Sequence, residues 1–133
     1  MADMNSILMA IAADTTIASW NPVVTALPDY ELKETNTAKC CVTPLGIEYG
    51  HSSRGSIQKY YVVEVAFIKR QKNVNVLSLI ADLETVAGYF MKQSYAGARV
   101  MNVAHDPLYD DERLRTESLF QGVMTLRLQE VTA

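Results

Sequence analysis

The sequence predicts one α+β domain: a small, mostly antiparallel four-stranded sheet with helices packed on it, in the order α-β-β-α-β-β. Three segments carry that expectation. Residues 74–93 place Val76, Leu79, Ile80, Leu83, Val86, Ala87 and Phe90 on one stripe at about 100° per residue, the period of an amphipathic helix. Residues 119–131 alternate, with Phe120, Met124, Leu126 and Leu128 on one side and Gln121, Thr125, Arg127 and Gln129 on the other, as in a half-solvated antiparallel strand. Residues 58–70 form the longest apolar strand. Tyr61, Val63, Val65 and Phe67 define one face, and Tyr60, Val62, Ala66 and Ile68 the other, broken only by Glu64.

The remaining elements follow in chain order. Residues 4–13 read as a helix with Met4, Ile7, Leu8 and Ile11 on one side. Asp14-Thr15-Thr16 breaks it, and Thr15 or Thr16 is placed to cap a short turn through Trp20. Asn21-Pro22 stops that turn. Residues 23–39, with Pro28 and the charges Glu31, Lys33 and Glu34, read as an exposed connection. Residues 39–43 read as a strand closed by Pro44. Residues 45–57 contain Gly46, Gly50 and Gly55 and read as a long hairpin tip. A short strand over 99–105 ends at Asp106-Pro107, and a charged loop over 107–118 precedes the last strand.

The 133 residues fit one domain spanning 1–133, and 49% hydrophobic with 20% charged is an ordinary globular composition. A net charge of −3 gives no attraction to nucleic-acid phosphate. The apolar run over 7–13 is too short to span a bilayer and follows Asp3 rather than a basic stretch, so no membrane segment or signal peptide is expected. Cys40 and Cys41 are adjacent and point to opposite sides of a strand, which suits two reduced thiols in a cytosol.

Catalytic and metal-binding patterns are not found. His51 and His105 sit in different segments, without the spacing of a zinc site or a metalloprotease helix. A metal or nucleophile site drawing on Cys40, Cys41, His51 or His105 is the weaker alternative to a buried Cys40, an edge-facing Cys41 and a solvated histidine. Asp110-Asp111-Glu112 lacks the spacing of a calcium loop and reads as a solvated run beside Arg113 and Arg115. Lys69-Arg70-Lys72 reads as a solvated turn. No cofactor, metal or catalytic residue is therefore expected.

Two features point to assembly. One helical layer covers one face of a sheet. The face of Tyr60, Val62 and Ile68 then calls for either the N-terminal helix or another subunit. The two long loops present Tyr49, Arg54, Tyr109 and Arg113, residue types that anchor interfaces, and Tyr89 lies on the outer side of the long helix.

Several stretches resemble a known family. Residues 7–18 form a short apolar helix, an acidic break and a second apolar turn. Ser53-Arg54-Gly55 leads into a long apolar strand. Asp106-Pro107-Leu108-Tyr109-Asp110, Glu112-Arg113-Leu114 and the strand from Leu119 to Leu126 close the chain. Together they resemble the small tail-completion or tail-terminator proteins of long-tailed bacteriophages, although residues 23–33 lack the Arg-hydrophobic-Tyr-Pro motif that many of those carry. The resemblance implies a non-enzymatic virion protein of the tail end or neck, made in the host cytoplasm. It implies a homo-hexameric ring that caps the tail tube, stops its polymerisation and provides the joint to the head connector. Partners would be the tail tube protein, a connector or adaptor protein, and sheath-terminal subunits if the tail contracts. Genomic DNA would pass through without specific binding, and no membrane would be involved. A head-completion or adaptor role in the neck is the alternative that the same residues allow.

Overall fold

The computed structural model describes residues 2–27, 38–51, 57–70, 76–106, 108–110, 112, 114–115 and 119–130. Helix α1 (Met4–Ala12) starts at Asp3, whose extended backbone lets its carboxylate accept the Ser6 amide and hydroxyl, each at 2.9 Å. It buries Ile7, Leu8 and Ile11. A 3₁₀ helix (Thr15–Trp20) follows and buries Ile17 and Trp20. Its cap is Asp14, which accepts the Thr16 amide at 2.8 Å, and not Thr15 or Thr16 as the sequence suggested. Asn21 ends the turn in the left-handed region, φ 53°, which asparagine tolerates, and its side-chain amide donates to the Ala38 carbonyl.

The sheet has six strands where the sequence suggested four. These are β1 (Pro22–Val24), β2 (Ala38–His51), β3 (Ile57–Arg70), β4 (Ser94–Tyr95), β5 (Ala98–His105) and β6 (Leu119–Glu130). Helix α2 (Val76–Phe90) connects β3 to β4, so the order is α-β-β-β-α-β-β-β. Across the sheet the strands run β1-β2-β3-β6-β5-β4. Among the described strands only the β1–β2 pair is parallel. The two added strands are three and two residues long, too short to carry a period in sequence. β4 and β5 are joined by a two-residue turn in which Ala96 (φ 51°) and Gly97 (φ 84°) are both left-handed. That backbone matches the twist of adjacent strands.

β2 also departs from expectation. Pro44 does not close it. The strand continues to His51, and the register against β3 shifts between Pro44 and Gly46. A proline is accommodated because β1 pairs β2 only from Cys40 to Val42, so the Pro44 nitrogen faces a side where no ladder bond forms among the described residues. The hairpin tip expected over 45–57 is therefore mostly strand. The chain leaving β5 is tied to β6 as well: the Asp106 amide donates to the Val123 carbonyl and, within the 107–118 segment, the Asp110 amide donates to the Gln121 carbonyl, each at 2.9 Å.

Both helices pack on one face of the sheet. Ile7, Leu8 and Ile11 of α1 and Leu79, Leu83, Val86 and Phe90 of α2 share one core with Tyr61, Val63, Val65 and Phe67. Each such aliphatic or aromatic side chain contributes about 1.5–3 kcal/mol on burial. The N-terminal helix therefore does not cover the face of Tyr60 and Val62. Trp20 meets Phe67 edge-on at 5.2 Å, and the Tyr61 hydroxyl donates to the Ala2 carbonyl at 2.9 Å. Gly122 permits the closest approach in this layer. A Cβ there would lie 2.7 Å from the Leu108 carbonyl oxygen and 3.4 Å from a Leu83 methyl.

Candidate assembly surface

Among the described residues, the β2–β3 hairpin reaches beyond the rest of the sheet. β3 first meets β6 at Tyr60, opposite Gln129, whereas the β2–β3 ladder continues outward to the His51–Ile57 pair. The outer residues form a two-stranded arm. On its helix-side face the alternation that fills the core continues, but α1 no longer covers it. Tyr49 and Ile57 are each 68% exposed and Ile47 is 41% exposed. Between them the Lys59 ammonium sits 5.7 Å from the Tyr49 ring and 5.0 Å from the Tyr61 ring. The Tyr61 hydroxyl, and then Tyr49 and Glu130, raise the Lys59 pKa and hold it charged. Tyr49, Gly50, His51 and Ile57 border a shallow cleft of about 230 Å³, smaller than the usual ligand pocket.

The opposite sheet face is polar at the same end. The Arg127 guanidinium lies 4.0 Å above the Tyr60 ring, and its Nε donates to Glu48 at 3.1 Å. The Tyr60 hydroxyl donates to Gln58. This solvated ion pair contributes at most about 1 kcal/mol. Further along the face the side chains are buried: Cys41, Ala66 and Val123 form a separate small cluster, and Ile68 has no exposed surface. The Thr43 hydroxyl is buried there without a hydrogen-bond partner among the described residues.

The eight residues singled out in the sequence thus fall in different places. Tyr49 is exposed on the arm, on a strand rather than a loop. Tyr60 and Val62 are half-buried on the outer face, and Ile68 is fully buried. Tyr89 is half-buried on α2, 6.3 Å from the Phe90 ring. Tyr109 is half-buried and stacks on Phe120 at 6.2 Å. Arg54 and Arg113 lie outside the described residues, as do Asp111 and Lys72. Ile47, Ile57 and Lys59 were not singled out. Their signal, alternation across 45–59, was hidden by Pro44 and the glycines.

The arrangement separates the groups that chemistry would need together. Cys40 enters the main core and Cys41 the outer cluster; both are buried, the second not edge-facing as expected, and neither forms a disulfide. Burial pushes the Cys40 thiol up, away from the reactive thiolate. His51 stands ten residues along the strand from Cys41, about 30 Å in extended chain. Among the described residues no three or more His, Cys, Asp or Glu side chains are grouped to hold a metal. No helix among them is long and apolar enough to cross a membrane.

No protein-family model and no curated protein matches the sequence. Among solved structures, the fold is similar to that of a chain from the virion of a native gene transfer agent particle. The TM-score is 0.52 at 10% sequence identity, over 94% of this chain and 91% of that one. At that identity the likeness is one of fold.

Proposed function

We propose that this chain is a structural protein of a phage-like virion that closes into a ring, a hexamer, on the end of the tail tube. There it stops tube polymerisation and offers a surface to the head connector. The observation that carries the reading is the end-to-end fold likeness to a chain of a gene transfer agent virion. Three features of the chain support it. The arm exposes apolar side chains that a soluble monomer has no use for. The site-forming residue types are scattered rather than assembled. The net charge of −3 suits a passage that DNA must cross without adhering. The ring needs no cofactor and performs no catalysis.

The test is virion morphology after deletion of the coding gene. Over-long tails are expected, because an uncapped tube keeps growing. Normal-length tails accumulating beside filled heads would contradict the capping role and assign the chain to the head-side joint instead.

A further inference from the structure

We infer that the outer face of helix α2 in one copy docks on the β2–β3 arm of a second copy, a head-to-tail contact that names the self-interface of the ring proposed above and rests on that reading. Helix α2 carries two stripes. The buried one is Leu79, Leu83, Val86 and Phe90. The exposed one runs through Leu77, Ala81, Glu84 and Gly88 and on to Met91 just past the helix end, at spacings of four, three, four and three residues that keep it on one line. Leu77 is 80% exposed and Met91 44% exposed.

Gly88 sharpens this. It is exposed within the helix, and a Cβ there would meet nothing within 4 Å. Glycine weakens a helix interior relative to alanine. Nothing among the described residues of its own chain calls for it, but a bare backbone lets a flat aromatic ring lie close. The arm offers such a ring in Tyr49, flanked by Ile47 and Ile57. Charge is complementary as well: Lys59 stands beside Tyr49 on the arm, and Glu84 lies one turn before Gly88 on the helix. The occupant is a second copy because the two surfaces differ and lie on different parts of the chain. α2 packs toward β6 through Leu83 and toward β4 through Phe90, whereas the arm extends β2 and β3. Such a heterologous contact repeats from copy to copy and closes by rotation.

Disulfide trapping tests the contact. Tyr49 is exposed and Gly88 has open space, so Tyr49→Cys and Gly88→Cys are expected to fold. The native cysteines are buried and stay out of the reaction. A mixture of the two variant chains under mild oxidation should give a disulfide-linked dimer that neither gives alone. The double variant should give a ladder ending in a closed oligomer. No dimer in the mixture, or equal dimer from Tyr49→Cys alone, overturns the contact. A ring by native mass with no trapping overturns this interface and leaves the ring standing; a monomer with no trapping overturns both. Independently, Lys59→Glu should lower the ring population at least about tenfold, and Glu84→Lys in the same chain should restore it. Two folded variants without restoration overturn the charge pairing and the contact with it.

Discussion

The Tyr95 hydroxyl donates a 2.7 Å hydrogen bond to the Asp14 carboxylate, tying the short strand β4 to the cap of the 3₁₀ helix 81 residues earlier in the chain. Partial burial alone would raise the Asp14 pKa, but the Thr16 amide and then the Tyr95 hydroxyl hold it below its usual value of 3.8. Burial, and then this bond to a carboxylate, pushes Tyr95 above its usual 10.0. The signs are opposite. Asp14 contributes stability that is present above pH 3.8 and lost as pH falls through its folded value. Tyr95 contributes stability that is present below pH 10.0 and lost as pH rises beyond it. Tyr95→Phe should cost about 1–3 kcal/mol at neutral pH and flatten the alkaline limb of stability against pH. Denaturant melts at pH 7 and above pH 10 check it. An unchanged alkaline limb would contradict the assignment.

Gly122→Ala should destabilise without changing the fold. The added Cβ meets the Leu108 carbonyl oxygen at 2.7 Å, and a backbone atom cannot swing aside as a side-chain tip can. The expected loss is about 1–3 kcal/mol, a fall in Tm on the order of 5–10 °C. Gly88→Ala is the control. Open space and better helix propensity predict a gain of about 0.5–1 kcal/mol.

Ala96 occupies a left-handed position of the β4–β5 turn at a cost of about 1 kcal/mol. Ala96→Asn places the favoured Asn-Gly pair in that turn. It should raise stability by about 0.5–1 kcal/mol, read by the same melts. A loss would mean that the turn conformation is not as described.

Leu83→Asp and Tyr60→Asp separate the core from the outer face. Leu83 is fully buried, so a carboxylate there is unpaired and the domain should unfold. Tyr60 is half-buried, stacked under Arg127 and bonded to Gln58. Its variant should stay folded, within about 1 kcal/mol, yet fail to assemble if the outer face takes part in the ring. Equal thermal loss in both would remove Tyr60 from the interface.

The parts of the fold legible in the sequence are those with enough turns or alternations to show a period. α2, β3 and β6 lie within a few residues of where their patterns place them, and the core residues of all three are those of the apolar stripes. β1 and β4 were not legible because their pairing partners, not their own residues, define them. The outer half of β2 was not legible because Pro44, Gly46 and Gly50 signal a loop in isolation, whereas the β-bulge between Pro44 and Gly46 absorbs the first two. The continuous face of the arm was hidden for the same reason. Tyr49 is exposed on a strand rather than a loop, and only with that strand do Ile47 and Ile57 share its face. Ile68 was singled out for an apolar face that the folded chain already buries at its end.

Ring formation is the central claim, and native mass spectrometry tests it most directly, on the purified chain alone and with tail tube protein added. The account predicts a discrete species of six times the 14.8 kDa chain mass, stable on dilution at least when the tube is present. A monomer under both conditions would contradict it.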